Sequence, residues 1–196
     1  ITQQALALLA AKVGAALYWA IWGAKRNDSG TKTVDLFDGF DTIAAKEVKD
    51  GNVSVAKGNL FDLDIATIDK TNAVDTLKEI WRKADYHLKP GSCKRFVRSF
   101  VLDAYNDDYK ITTGAIPYNT QFNQTFVEGS GNKCEIVALP NKADSKFMQL
   151  TTKSNMLVGT CQMSDEESVS VEKYSPFTLD FVMTMFFGTQ YESINK

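Results

Sequence analysis

From Ala5 to Ala24 the chain carries a single charged residue, Lys12, and nothing in that stretch breaks a helix. Ala7, Ala11 and Ala15 recur at i, i+4 and i+8, which predicts a smooth small-residue stripe along a helix running from Ile1 to Lys25. Leu6, Leu9, Val13, Leu17 and Ile21 take up much of the remaining surface, together with the aromatic group Tyr18, Trp19 and Trp22. A helix apolar nearly all round is buried in protein or set in a membrane. Two features weigh toward protein. Lys12 lies mid-span, where insertion into a bilayer costs about 2.5 to 3.5 kcal/mol. Much of the remaining length is Ala and Gly, which contribute little transfer energy. A buried backbone helix is therefore expected, and Ala11→Leu or Ala15→Leu would overpack it at a cost of about 1 to 3 kcal/mol. Gly23 and the run Lys25-Arg26-Asn27-Asp28-Ser29-Gly30 supply its stop, with cations at the negative end of the helix dipole.

A chain of 196 residues suits one large domain or two small ones and buries about 70% of its unfolded surface, so it folds without disulfides or metals. It begins with Ile rather than Met, as a fragment or a processed chain does. Twenty-two Lys plus Arg stand against 24 Asp plus Glu, with no basic tail. Phosphate-dominated nucleic-acid binding has no electrostatic footprint in such a chain. Cys93, Cys134 and Cys161 are widely spaced, without CxxC, and His87 is the lone histidine. That excludes the usual zinc patterns and points to a reducing compartment, with each cysteine read as a small buried apolar residue.

Along the chain, Thr31 to Gly58 reads as loops and short strands punctuated by Asp38-Gly39, Asp50-Gly51 and Lys57-Gly58. Asp35, Asp38 and Asp41 lack the spacing of a calcium loop. Leu36, Phe37 and Phe40 read as anchors onto a core. Thr71 or Asn72 caps a second, amphipathic helix through Val74, Leu77, Ile80, Trp81, Ala84 and Leu88, ended by Pro90-Gly91. His87 and Cys93 are close in sequence, but no oxyanion motif accompanies them. Lys94 to Arg98 is predicted as a strand and Ser99 to Tyr109 as a helix, closed by Asn106-Asp107-Asp108. The positive cluster Lys89, Lys94, Arg95 and Arg98 reads as a solvated face or a set of subunit salt bridges, with Phe96 and Val97 pointing inward.

From Phe122 the period changes to that of strands: Gln124 to Val127, Cys134 to Leu139, Phe147 to Thr151, Met156 to Val158 and Val169 to Val171. The clearest strand is the last, where Phe177, Leu179, Phe181, Met183, Met185 and Phe187 alternate with their neighbours as far as Gly188. A strand so long and apolar must pair with partners, because as an open edge it would aggregate. No P-loop, GxGxxG, HExxH or GxSxG spacing occurs, and no carboxylate pair stands out. The reading assigns no catalytic, cofactor-binding or metal-binding residues and expects a non-enzyme.

The order of these features resembles that of the tailed-bacteriophage major capsid proteins, whose shell fold is shared with encapsulin nanocompartments. Ala20-Ile21-Trp22-Gly23 running into Leu36-Phe37-Asp38-Gly39-Phe40 is similar to that family's long backbone helix and its passage into the axial domain. Asn72 to Leu88 resembles the first axial helix. Lys94-Arg95-Phe96-Val97-Arg98-Ser99 and Val101-Leu102-Asp103-Ala104-Tyr105 resemble the strand and helix that follow, and Gly114-Ala115-Ile116-Pro117 falls at a loop. Val137-Ala138-Leu139-Pro140 and Ser154-Asn155-Met156-Leu157-Val158-Gly159 resemble late strands, and Phe177 to Tyr191 the closing strand. The N-terminal arm and extended hairpin loop of that family are missing from this sequence, and no cross-linking or protease residues carry over.

The resemblance implies an α+β fold in which residues 1–28 give the backbone helix of a peripheral domain, 29–160 an axial domain of mixed α/β structure, and 161–196 the returning peripheral strands. It implies a structural protein of a bacteriophage or prophage virion that self-assembles into an icosahedral shell. Its partners would be copies of itself as hexamers and pentamers, scaffolding and portal proteins, and packaged DNA bound without sequence specificity, with no membrane and no cofactor. The shell would assemble in the bacterial host cytoplasm. The alternative is a membrane-associated protein anchored by Ala5 to Ala24.

Overall fold

The computed structural model describes residues 2–114, 125–160, 169–175, 178–183 and 185–194, and the chain is a mixed α+β protein. Its helices are α1 (Thr2–Ala20), α2 (Phe40–Lys49), α3 (Ala73–Lys83) and α4 (Ser99–Thr113). Its strands are β1 (Cys93–Arg98), β2 (Cys134–Leu139), β3 (Gln149–Thr151), β4 (Met156–Thr160), β5 (Val169–Ser175), β6 (Thr178–Met183) and β7 (Phe187–Tyr191).

At the centre lies a sheet ordered β2-β1-β3, with β1 and β2 parallel from the Cys93/Cys134 pair to the Arg98/Leu139 pair, and β3 antiparallel to β1. A parallel pair needs a crossover connection, and α4 lies in it. Successive side chains of a strand point to opposite faces. Strand β1 therefore sends Cys93, Arg95 and Val97 to one side, where Cys93 and Val97 join Val74, Leu77 and Trp81 of α3 and Val101 and Tyr105 of α4 in the main core. On the other side Phe96 meets Trp22, with ring centroids 5.5 Å apart, and Trp22 packs with Phe40, Ile43 and Tyr191. The sheet is covered on both faces, so the adjacent residues Phe96 and Val97 are both sheltered although they point in opposite directions.

The residues that join α1 to α2 make the tightest turn of backbone on backbone. An α-helix leaves its last carbonyls and its first N–H groups without intrahelical partners. These two ends satisfy each other: the amides of Gly39, Phe40 and Asp41 donate to the carbonyls of Ala24 (2.8 Å), Ile21 (3.1 Å) and Trp22 (2.9 Å), and the Thr42 hydroxyl also reaches the Ala24 carbonyl (2.6 Å). A Cβ on Gly39 would drive into the Trp22 carbonyl, so only glycine fits. Helix α2 falls where loops and short strands are expected. Gly39 is its N-cap, and at its other end the Gly51 amide donates to the Val48 carbonyl and the Asn52 amide to that of Glu47, with Gly51 at φ 73°. That is a Schellman closure. The glycines read as turn signals are the two ends of a helix. Phe37 and Phe40 are buried anchors as expected, whereas Leu36 is exposed.

Other boundaries also shift. Helix α3 stops at Lys83 rather than continuing to Leu88, because Ala84 adopts an extended ψ of 146° and the Asp85 carboxylate starts a separate single turn by accepting the His87 amide. Its N-cap is Asn72, as anticipated, but the Asn72 side chain accepts the Asp69 amide instead of serving the helix. The Val74 amide is satisfied by Asp108 Oδ2 of α4 at 2.7 Å. Asp108 is thus buried inside α4, which runs on to Thr113 instead of closing at residues 106–108. The single last strand expected from Phe177 to Gly188 is two strands, β6 and β7. They belong to different antiparallel pairs, β5–β6 and β4–β7. Of the segment 124–127, Phe126 forms only an isolated bridge to Glu135. Gln124, Cys161, Phe177 and the loop residues 115–117 lie outside the described residues.

Candidate functional site

Helix α1 is not the buried rod its composition predicts. Its last turn and the residues after it are anchored, with Ala20, Trp22 and Ala24 buried and Leu17 packed on Phe37 and Phe187. The rest of the helix is open: Leu8 is 59% exposed, Ala7, Ala11 and Ala15 of the small-residue stripe all face solvent, and even in the last turn Trp19 is 60% exposed on the side away from Ala20. A shallow groove formed by Ala5, Leu8, Leu9, Lys12 and Phe181 brings β6 against this part of the helix. The β5–β6 hairpin is exposed too, through Val171, Tyr174 and Val182, as are Met185 and Phe186 after it. Single exposed apolar residues are normal, whereas an apolar helix face beside an apolar hairpin leaves a larger uncovered apolar area. Among the described residues no helix is long and apolar enough to cross a membrane.

The most concentrated buried polar chemistry ties this region to the central sheet. Lys142, which follows β2, places its Nζ 2.7 Å from Asp41 Oδ1 and 2.9 Å from Ser145 Oγ, and 4.2 Å above the Trp22 ring. Gln149 of β3 also donates to Asp41 Oδ1. The Tyr191 hydroxyl lies beside this cluster, and burial, with the Asp41 charge as a lesser cause, raises its pKa. A lysine beside a serine invites comparison with Ser/Lys hydrolases, where a neutral amine takes the hydroxyl proton. Here Asp41 holds the ammonium in an ion pair and the Ser145 hydroxyl donates to the Phe147 carbonyl at 3.0 Å, so the base is occupied and the nucleophile's proton is committed elsewhere. The cluster is a structural clamp. Its partners lie 101 residues apart, so no short motif could have announced it.

The positive cluster is divided rather than solvated as a unit. Lys94 pairs with Glu135 at 2.6 Å, Lys89 donates to the Arg82 carbonyl, and Arg98 lies over the Phe100 ring. Arg95 is the correction: it is 1% exposed, on the core face of β1 between Cys93 and Val97. The alternation of the strand puts it there. Cys93 and Cys134 are free and buried as expected, while His87 is exposed and stacks on Tyr86, so the two neighbours in sequence have opposite environments. Asp35 accepts the Lys32 amide, Asp38 the Arg26 amide, and Asp41 the lysine above, so the three carboxylates serve three separate sites.

An open cleft of about 340 Å³ lies between the α1–α2 connection and β7, lined by Arg26, Phe37, Asp38, Glu47, Phe187 and Thr189 among others. The Thr189 hydroxyl donates to the Asp38 carbonyl at 2.6 Å, and Arg26 pairs with Asp28 at 2.9 Å. These groups brace the cleft walls and form no nucleophile–base pair. Among the described residues no three His, Cys, Asp or Glu side chains gather as metal ligands would. Compared with models of known families, with curated proteins and with solved structures, the chain matches none.

Proposed function

We propose that the chain is a structural subunit that associates with copies of itself, and that its assembly is a shell of the phage capsid type. The observation that carries this is the contrast between a well-packed centre and the uncovered apolar face of α1 with the β5–β6 hairpin. A face of that kind beside a rigid core stabilises an oligomer when a second copy covers it. The finer architecture belongs to the same proposal: residues 1–28 and 161–196 as a peripheral part, 29–160 as an axial part, and assembly into hexamers and pentamers around DNA. A near-neutral charge suits such a container, since a strongly basic lining would hold the polymer at many phosphates.

Light scattering and negative-stain microscopy of the full-length gene product test it, with Leu8→Asp and Trp19→Glu as variants. Rings or shells are expected from the parent and monomers of unchanged circular dichroism from both variants. A parent that stays monomeric under all assembly conditions overturns the proposal, and recovery only in the membrane fraction replaces it with the membrane-anchored alternative.

A further inference from the structure

The start of the central sheet holds a group of side chains that the shell reading leaves unused. Cys93 and Cys134 open β1 and β2 and stand directly opposite each other in the parallel register. Residues so paired share a face, on strands about 4.8 Å apart, which lies inside the range of Cα separations that a disulfide spans. The Cys93 thiol donates to the Lys133 carbonyl at 3.6 Å, and the Cys134 thiol is the neighbour that acts most strongly on its pKa. Beside them sits the buried guanidinium of Arg95. Its Nη1 donates to the Leu77 carbonyl at 3.3 Å, while among the described residues Nε and Nη2 have no hydrogen-bond partner. Among the described residues the two thiols and the Tyr105 hydroxyl are the acidic groups whose charge would stabilise this cation against its burial. A buried cation without a carboxylate favours an anionic neighbour. Cys134 first, and then the Arg95 charge, pull the Cys93 pKa down against the opposing effect of burial, while Cys93 and burial push Cys134 up. The pair therefore divides into one nucleophile and one proton donor.

Access comes from the end of the strands. Gly91 and Ser92 precede Cys93, and Gly131, Asn132 and Lys133 precede Cys134, all of them exposed. The second turn contains Gly129, Gly131 and Asn132 at positive φ. It closes through hydrogen bonds from Ser130 to Val127 at 3.1 Å and from Lys133 to Ser130 at 3.3 Å, and the Cys93 amide ties it to β1 through the Lys133 carbonyl at 2.9 Å. Strand ends under such turns open at low free-energy cost.

We propose that Cys93 and Cys134 form a redox-active dithiol, activated by Arg95, that a small peroxide converts into a disulfide across the parallel strands. The Cys93 thiolate attacks one peroxide oxygen of hydrogen peroxide, the O–O bond breaks, and hydroxide leaves, giving a sulfenic acid at Cys93. The Cys134 sulfur then displaces the sulfenic hydroxyl. The leaving hydroxide takes up the proton that Cys93 gave up on ionising, and the sulfenic hydroxyl leaves as water with the Cys134 proton, so that two thiols and one peroxide give one disulfide and two waters. Both electrons come from the sulfurs.

The test is peroxide treatment of the folded protein in a Cys161→Ser background, followed by alkylation in denaturant and mass mapping. The expected product is a Cys93–Cys134 linked peptide. Arg95→Lys, which retains a cation, keeps most of the rate, and Arg95→Met slows oxidation at least tenfold. In both variants a diamide-type oxidant still forms the bond, which shows that the pair remains folded together. A stable sulfinic acid at Cys93, linkage between molecules, or oxidation no faster than that of a cysteine in the denatured chain overturns the proposal. So does an Arg95→Met variant that reacts at the parent rate.

Discussion

Helix α1 and helix α3 make an instructive pair. Helix α1 has the more apolar sequence and yet exposes Leu8, Tyr18 and Trp19, while α3 carries Asp75, Lys78, Glu79, Arg82 and Lys83 and buries Val74, Leu77 and Trp81. The difference lies in the period. In α3 the apolar residues fall on one stripe and the charges on the other, so a single sheet face satisfies the helix. In α1 they surround the axis, and among the described residues no second layer covers them. Apolar content measures how much cover a helix asks for, and period tells whether its own chain can provide it.

The largest effects expected are those that break the joint between the two regions. Lys142→Met leaves Asp41 as an uncompensated, nearly buried charge and should cost about 3 to 5 kcal/mol, whereas Lys142→Met with Asp41→Leu should recover much of that loss; denaturant unfolding of both variants measures the difference. Truncation within the compact side comes next. Leu77→Ala, at a fully buried position, is expected to lose about 2 to 5 kcal/mol, and a loss below 1 kcal/mol would show that α3 is loosely packed. Gly39→Ala should cost about 1 to 3 kcal/mol, since the added methyl pushes the α2 start off the Trp22 carbonyl.

The smallest effects are expected on α1 itself. With their side chains in solvent, Leu8→Ala and Ala11→Leu should change the stability of the isolated chain by no more than about 0.5 kcal/mol. This reverses the overpacking expected for Ala11 from the sequence alone. In the assembled state the same Ala11→Leu should weaken association, read as a rise in the concentration at which scattering appears. Equal stability and equal association would place the stripe outside any interface.

Much of the compact side was legible in the residues. The strand at Cys93, the helix at Ser99 and the Val74, Leu77, Trp81 stripe follow from period, and period survives into the fold because each element meets a single layer. Arg95 was misread as part of a solvated cluster, although two-residue alternation puts it on the same face as the buried Cys93 and Val97. Charge alone argued for the surface, and the alternation won. The Asp41–Lys142 clamp was not legible, because it joins an unexpected helix to a turn far along the chain. Nor was the break between Met183 and Phe187: alternation predicts which face a residue takes but not where the chain leaves one sheet for another.

The seam between α1 and α2 has a mechanical consequence. Amides of three successive residues, Gly39 to Asp41, grip carbonyls of the last turn beyond α1, and Trp22 at the same place touches both Phe40 and the sheet residue Phe96. A load applied at the first turns of α1 is therefore shared by several bonds and by the aromatic stack rather than dissipated at a swivel. The helix acts as a lever whose fulcrum is keyed into β1. Hydrogen exchange at the Gly39, Phe40 and Asp41 amides should then be as slow as in β1, and an exposed helix of that kind hands any torque it receives to the middle of the molecule.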